Sequence, residues 1–220
     1  MPAHKQKLII ISAGAFGREV RAMAAGIESS LGASCPWSVA GFLDDRPRIL
    51  GGKDSTGVPI LASPMDYVPA DGDRFICAIG DPRQRQHYAA IVADRGGVFL
   101  SLTWPQSAVC DFAGRRGDGS LIGPFCAVSA DVAIGPHTMI VAQATIGHDV
   151  IIGSCCHIGA YAFLGGGATI GNRVTIHPHA CILPGAVVED DATVGAGSVV
   201  LKRVSAGQTV FGVPALPVKT

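Results

Sequence analysis

The chain has 220 residues, and its 17 Lys and Arg residues balance 17 Asp and Glu residues, so the formal net charge is zero. Charged residues make up only 15% of the chain. This balance argues against nucleic acid as a partner, because electrostatic binding to phosphates needs a concentrated basic surface. No apolar run reaches membrane-spanning length, so membrane insertion is not expected.

The N-terminal apolar run over residues 7–12 leads directly into a glycine-rich turn. We therefore interpret it as a β-strand rather than a secretion signal. The seven cysteines are odd in number, and no spacing between them matches a CxxC zinc site. A reducing cytoplasm is the expected compartment, and no metal is expected.

Residues 7–20 predict a strand, a turn and the start of a helix: KLIIIS, SAGAFG and REV. Backbone N–H groups at such a turn and helix start can hold an anion. The turn lacks the complete GxGxxG fingerprint, so an ordinary strand-to-helix turn remains the alternative.

A second strand, WSVAGFL, ends in two carboxylates, Asp44 and Asp45. Ligands of doubly wound sheets bind outside the carboxyl ends of the strands, where these acids could accept hydrogen bonds from a ribose or a base. A solvated turn, DDRP, is the alternative interpretation.

The next segments complete a small domain. We predict a connector, a third strand, a helix with Asp81 near its cap, and a last strand, in the order GVPILAS (57–63), RFICAIG (74–80), DPRQRQHYAAIVADRG (81–96) and VFLSLTWP (98–105). The order β-α-β-β-α-β predicts a Rossmann-like parallel α/β domain over residues 1–105. It is too short for a complete dinucleotide-binding domain, so one nucleotide is the expected ligand.

Residues 122–204 carry a six-residue repeat, within a second domain that we predict over residues 106–220. Aliphatic side chains recur at Ile122, Val128, Ile134, Ile140, Ile146, Ile152, Ile158, Leu164, Ile170, Ile176, Ile182, Val188, Val194 and Val200. A small residue follows four positions after each, and a glycine often follows directly, which we take to permit the turns. A fixed hexapeptide repeat predicts a parallel β-helix with 18 residues per triangular coil and four to five coils. Arg116 occupies an aliphatic position, so the first coil should be irregular.

Residues 18 apart should stack on successive coils. His148 then stacks with Gly166, and Gly166 with Pro184. Ionisable side chains are scarce along the repeat, so the pair His148–Asp149 is a rare polar island. A structural histidine on the wall of the β-helix is the alternative role for His148.

These motifs resemble the bacterial sugar O-acyltransferases of the sialic acid O-acetyltransferase (NeuD) type, which include N-acetyltransferases of nucleotide-linked amino sugars. The resemblance covers nearly the whole chain. It rests on the segments SAGAFGREV, GFLDD, CAIGDPRQR, TIGHDVIIGSCCHIG and TVFGVPA.

The resemblance implies a homotrimer of left-handed β-helices, with acetyl-CoA as co-substrate in the cleft between two subunits. It implies that His148 is the catalytic base and that Asp149 raises its basicity. The acetyl-CoA positions implied by the resemblance are His157, Gly166, Pro178 and Ala196. The nucleotide-sugar positions implied by it are Gly14, Ala15, Phe16, Asp44, Asp45, Cys77 and Gly80.

The chain departs from the family pattern at three residues. Phe16 replaces a common histidine, Trp104 replaces another, and Leu216 replaces a Lys or Arg after GVPA. Lys202, Arg203 or Lys219 could compensate for the lost cation at Leu216.

The expected reaction is direct attack by an acceptor amine on the thioester, with the Gly166 N–H as a donor to the oxyanion. The acceptor could instead be a sugar hydroxyl, as on sialic acid. Two further interpretations stay open: a γ-carbonic-anhydrase-like zinc enzyme using His148, His157 and His177, and a non-catalytic solenoid. Nothing near Cys155 and Cys156 would activate a thiol nucleophile.

Overall fold

The computed structural model describes residues 5–51, 57–110 and 115–218. The chain divides into two compact units, Met1–Ser101 and Leu102–Thr220. No helix in the described ranges is both long and apolar enough to cross a bilayer. Lys219 lies outside the described residues.

The first unit is a four-stranded parallel sheet with two helices. Its strands are β1 (Gln6–Ile11), β2 (Trp37–Leu43), β3 (Ile60–Ala62) and β4 (Asp73–Cys77), in the order β3-β2-β1-β4. Its helices are α1 (Ala15–Leu31) and α2 (Pro82–Asp94), and a short 3-10 helix covers Gly32–Ser34. Residues 8–11 of β1 are fully buried, which explains their unbroken apolar run at the centre of a parallel sheet.

Two predicted elements differ from the structure. The predicted connector over residues 57–63 contains β3, which pairs with the end of β2. The predicted strand over residues 98–105 is divided: Phe99 bridges to Phe75, whereas Leu102 pairs with Leu121 in the second unit. A short apolar run can form a buried strand in either sheet. Periodicity alone therefore cannot locate the point at which the run passes from one sheet to the other.

The second unit is a left-handed parallel β-helix, as predicted. The first face contains β5 (Leu102–Thr103), β7 (Leu121–Ile122), β10 (Met139–Ile140), β13 (His157–Ile158), β16 (Thr175–Ile176), β19 (Thr193–Val194), β22 (Thr209–Phe211) and the antiparallel β23 (Leu216–Pro217). The second face contains β6 (Ala108–Val109), β8 (Ala127–Val128), β11 (Thr145–Ile146), β14 (Phe163–Leu164), β17 (Cys181–Ile182) and β20 (Val199–Val200). The third face contains β9 (Ala133–Ile134), β12 (Ile151–Ile152), β15 (Thr169–Ile170), β18 (Val187–Val188) and β21 (Arg203–Val204).

Successive coils stack with a step of 18 residues through the regular part. Ile140 pairs with Ile158, and Ile158 pairs with Ile176. All of the repeated aliphatic side chains are buried along the axis. The step changes only towards the ends, where Leu102 pairs with Leu121 and Thr193 with Thr209.

The glycines that follow the aliphatic residues do not have the role predicted for them. The left-handed turn residue is instead the third one after the aliphatic position, such as Asp149 (φ 58°) or Gly167 (φ 70°). A Cβ on Gly147 would lie 2.7 Å from the Gly166 nitrogen, and one on Gly153 would lie 2.6 Å from the Gly171 oxygen. These glycines are needed because the backbones of neighbouring coils approach too closely for a side chain.

Arg116 makes the first coil irregular, as expected. Its guanidinium donates to Thr103 Oγ1 (2.5 Å), Ser120 Oγ (2.7 Å) and the Leu102 carbonyl (2.7 Å). Burial lowers the pKa of Arg116 to about 10. These oxygen acceptors therefore compensate for the burial of the Arg116 charge.

Candidate functional site

His148 lies at the corner that joins the second and third faces, between β11 and β12. Its Nδ1 atom lies 2.7 Å from Asp149 Oδ2. Consecutive residues of a strand point to opposite sides, but the left-handed backbone of Asp149 turns its carboxylate back towards the ring. The predicted contact between the two side chains is therefore present.

Gly166 occupies the same corner on the next coil. A Cβ at this position would lie 2.6 Å from His148 Nε2, so any side chain at residue 166 would displace the imidazole from its present position. The Gly167 N–H donates to the His148 carbonyl (2.8 Å) and holds the two coils in this register.

The Gly166 N–H donates to no acceptor among the described residues. At the corner between the third and first faces, the equivalent N–H groups are occupied. Ser154 N donates to Asn172 Oδ1 (2.9 Å), and Asn172 N donates to Asp190 Oδ1 (2.8 Å). The residue above Gly166 is Pro184, whose side chain offers no acceptor, so the Gly166 N–H stays available beside His148.

The other predicted acetyl-CoA residues lie elsewhere on the β-helix. His157 is half-buried on β13 of the first face. Pro178 and Ala196 are exposed on the corner between the first and second faces. A single chain therefore brings His148, Asp149 and Gly166 together. It does not bring His157, Pro178 and Ala196 to the same place.

The first unit has a cavity of about 370 Å³ at the carboxyl ends of its strands. Ser12 after β1, Asp44 and Asp45 after β2, and Tyr88 of α2 line it. A second cavity of about 450 Å³ shares the two aspartates. This is the edge of the sheet at which the sequence predicts a nucleotide.

The turn before α1 keeps the spacing of a dinucleotide fingerprint, with Ser12 in place of the first glycine. Ser12 adopts φ 86°, a conformation that favours glycine, and its Oγ accepts from the Gly14 N–H (3.1 Å). A Cβ on Gly17 would lie 1.9 Å from the Ser12 carbonyl oxygen, so Gly17 allows helix and strand to pack closely. The sequence interpretation did not single out Ser12 or Gly17. Gly14 is the N-cap of α1, and Ala15 and Phe16 form its first turn.

Asp44 braces this turn. Its carboxylate accepts from the Ala13 N–H (2.8 Å), the Arg46 N–H (3.0 Å) and two guanidinium nitrogens of Arg46 (2.9 and 3.0 Å). Asp44 is only 7% exposed. Burial disfavours its charge, but these hydrogen bonds outweigh burial and hold the pKa of Asp44 below its ordinary value.

Asp45 is exposed and accepts from two side chains distant in the sequence. The Tyr88 hydroxyl donates to Oδ2 (2.9 Å), and the Ser63 hydroxyl donates to Oδ1. No local pattern marks Ser63 or Tyr88, because each meets Asp45 only through the fold.

The remaining predicted nucleotide residues differ in accessibility. The Cys77 side chain is fully buried at the end of β4, with Sγ 3.6 Å from the Arg85 carbonyl oxygen, so only its backbone could face a ligand. Gly80 is exposed before α2. The buried guanidinium of Arg85 donates to the carbonyls of Ile79 (2.5 Å) and Gly80 (3.2 Å) and shapes this loop. Arg85 was not predicted as a site residue.

Across the described ranges, no group of three or more His, Cys, Asp or Glu side chains could hold a metal ion. His148, His157 and His177 lie on different faces or corners within one chain.

Both units match known family models. The PglD N-terminal domain matches residues 7–92, and the bacterial transferase hexapeptide repeat matches residues 167–202. No curated protein matches the sequence significantly.

Solved structures match nearly the whole chain. PerB from Caulobacter crescentus, in complex with CoA and GDP-perosamine, is 29% identical with a TM-score of 0.81, over 97% of each chain. The acetyltransferase domain of PglB from Neisseria gonorrhoeae is 26% identical with a TM-score of 0.86, over 97% of this chain and 100% of that one. That domain has also been solved with acetyl coenzyme A. WeeI from Acinetobacter baumannii is 25% identical with a TM-score of 0.67, over 96% and 99%.

Asp44→Asn should lower the free energy of unfolding at pH 7 by about 1–3 kcal/mol, because the amide cannot accept all four hydrogen bonds. The lowered pKa means that the carboxylate stabilises the fold above its unfolded pKa, and that this contribution disappears as pH falls through the folded pKa. Urea unfolding measured between pH 7 and pH 3 should therefore show that the difference in free energy of unfolding between Asp44→Asn and the wild type becomes smaller towards pH 3. Asp45→Asn is the control, and an equal loss in both variants would refute the bracing role.

Proposed function

We propose that this chain, which belongs to the sugar acyltransferases of the NeuD and PglD type, transfers an acetyl group from acetyl-CoA to the amine of a nucleotide-linked amino sugar. Such a reaction serves the synthesis of surface polysaccharides or other glycans. The similarity to an enzyme solved with CoA and GDP-perosamine extends through both units and supports this choice of substrates. The observation that carries the proposal is His148, paired with Asp149 and facing the gap left by Gly166.

His148 acts as the general base in this proposal. Nδ1–H donates to Asp149, which leaves Nε2 free to accept the proton of the attacking amine. The Gly166 N–H donates to the oxyanion that forms when the amine nitrogen bonds to the thioester carbon. The carbon–sulfur bond then breaks, and the sulfur takes the proton from His148. No acyl-enzyme is required.

The two units divide the substrates between them. Gly14, Ala15, Phe16 and Gly80, with the backbone of Cys77, hold the nucleotide at the cavity edge. His157, Pro178 and Ala196 contact acetyl-CoA on the β-helix. All seven cysteines are free, which fits a reducing cytoplasm.

A sugar hydroxyl is the alternative acceptor, because His148 could deprotonate either nucleophile.

We further propose a homotrimer, in which a neighbouring copy covers the His148 corner. The side chains of His148 and Asp149 are 70% and 65% exposed in one chain. Ile151 and Phe163, on the two faces that meet there, are 53% and 39% exposed. A second copy would bury this apolar surface, bring its own His157 face to the corner and form the acetyl-CoA cleft.

Light scattering should give a mass near three times 22.5 kDa for the wild-type protein. Phe163→Glu should reduce both the mass and the acetyl transfer, because a charge would be buried at the contact. Val68→Glu is the control, since Val68 is 77% exposed on the other unit. A monomeric wild-type protein with full activity would contradict the trimer.

His148→Ala should reduce turnover by about 10²–10⁴-fold, because the acceptor loses its base. A thiol-release assay with acetyl-CoA, run across nucleotide-linked amino sugars and free sugars, measures this loss and identifies the acceptor. Asp149→Asn should reduce turnover less, since the His148 ring would keep its position but would lose its carboxylate partner. Unchanged turnover in His148→Ala would refute the assigned base, and preferential turnover of sugar hydroxyls would favour O-acetylation.

Gly166→Ala should reduce kcat by about 10²-fold, because the added methyl would displace the His148 ring by about 1 Å. Gly153→Ala at another corner is the control for destabilisation: its Cβ would lie 2.6 Å from the Gly171 carbonyl oxygen, a backbone atom, so this variant should lose more stability but keep the His148 ring in place. Thermal unfolding corrects both activities for folded protein. If both variants lose stability and activity equally, Gly166 has no specific role at His148.

A further inference from the structure

A further cavity of the first unit, here called the amino-end cavity, lies where β1 and β4 begin. It has a volume of about 460 Å³ and is lined by Lys5, Gln6, Lys7, Asp71, Gly72 and Arg74. Five steps of about 3.3 Å along β1, from Gln6 to Ile11, separate it by about 17 Å from the cavity at the carboxyl ends of the strands. None of its lining residues has a role in the proposed acetyl transfer.

Two cations of this cavity have no carboxylate partner in the described ranges. Lys7 is exposed, and Arg74 is half-buried with one guanidinium nitrogen donating to the Asp73 carbonyl (2.7 Å). Lys7 pairs with Asp73 in the sheet, so Lys7 and Arg74 lie on neighbouring strands. Lys5 differs from them, because its ammonium lies 3.2 Å from Glu28 Oε1. Lys7 and Arg74 are therefore the cations that can donate to a ligand.

Gly72 adds a backbone donor between these strands. Its φ of 85° is a left-handed conformation that favours glycine. Within the part of the chain that the structure describes, the Gly72 N–H donates to no acceptor. A Cβ at this position would meet no atom within 4 Å, so the backbone borders open space. A ligand in the cavity can therefore reach this N–H.

The neighbouring carboxylates oppose the two cations only in part. Asp71 is exposed and lines the cavity. Asp73 is only 3% exposed and does not line it, because its Oδ2 accepts from the Tyr67 hydroxyl (2.9 Å) and the Ala70 N–H (2.9 Å). Burial and the hydrogen bond to Asp73 raise the pKa of Tyr67 to about 12, so the phenol remains a donor to this carboxylate. The cavity thus presents more donors than acceptors.

We propose that the amino-end cavity binds a phosphate group with two negative charges, as in a phosphomonoester or pyrophosphate. A phosphomonoester has three acceptor oxygens, which matches three donor groups: the Lys7 ammonium, the Arg74 guanidinium and the Gly72 N–H. The planar guanidinium suits two oxygens at once, and the ammonium supplies a second charge.

This ligand is distinct from both substrates of the proposed reaction. The nucleotide is assigned to the opposite end of the sheet and acetyl-CoA to the β-helix, so neither assignment depends on this site. The same chemistry has two sources, a soluble phosphate compound and the headgroup of a phospholipid.

Isothermal titration of the full-length protein with inorganic pyrophosphate tests the site, with saturating GDP present to occupy the opposite end of the sheet. Lys7→Glu and Arg74→Glu should each weaken pyrophosphate binding by about tenfold or more, because each removes a charged donor and adds a like charge. Arg74→Lys should weaken it less, since the charge stays but the paired donors are lost. Raising the salt concentration should weaken binding to the wild type.

Arg48→Glu is the matched control, because Arg48 is exposed beyond β2 in the same unit and the change in net charge is the same. This variant should bind pyrophosphate as the wild type does. Lys7 is exposed, so Lys7→Glu should keep the wild-type unfolding temperature and carries the test if Arg74→Glu fails to fold. Absence of saturable binding to the wild type, or equal losses in Lys7→Glu and Arg48→Glu, would overturn the proposal.

Sedimentation with phosphatidylcholine vesicles, with and without phosphatidic acid, identifies the source of the phosphate. Binding only to the vesicles with phosphatidic acid, lost in Lys7→Glu and displaced by pyrophosphate, would support a lipid headgroup. Pyrophosphate binding without sedimentation would support a soluble phosphate compound. Sedimentation that Lys7→Glu leaves unchanged would count against the cavity as the phosphate site.

Discussion

Backbone hydrogen bonds between successive coils determine which side chains can meet on the β-helix. Gly147 N donates to the Leu164 carbonyl (2.8 Å), and Gly167 N donates to the His148 carbonyl (2.8 Å). This ladder sets the step of 18 residues, and the step places Gly166 against the His148 ring. The close approach also requires Gly147 to lack a side chain, because a Cβ there would collide with the backbone of Gly166. The chemistry of the corner therefore depends on the same backbone contacts that hold the coils together.

The corner bearing His148 differs from the corner between the third and first faces in one respect that matters for acyl transfer. At that other corner, side-chain oxygens of Asn172 and Asp190 accept hydrogen bonds from the backbone N–H groups. Glycine and proline at positions 166 and 184 leave the Gly166 N–H without such a partner among the described residues. In the proposed mechanism, this N–H is the donor that would stabilise the oxyanion, and His148 would be the base beside it.

The sequence predicts the β-helix well because each hexapeptide places an aliphatic residue at the position that fills the axis. The pairing of His148 with Gly166 follows directly from the step of 18. Asp44 and Asp45 can be located because both follow a strong strand pattern. Their different hydrogen-bond partners cannot be predicted, since Tyr88 is 43 residues from Asp45 and reaches it only through the fold. The prediction that the glycines after the aliphatic residues form the turns is wrong, because close approach between coils leaves no local signature in the sequence.

A crystal structure with CoA and a nucleotide-linked amino sugar bound would test the assignment of the His148 corner most directly. We expect the acceptor amine within about 2.7–3.2 Å of His148 Nε2, with the CoA sulfur beside the Gly166 N–H. The nucleotide should occupy the cavity lined by Asp45. Both ligands bound with the amine away from His148 would contradict the assigned base and the geometry on which it rests.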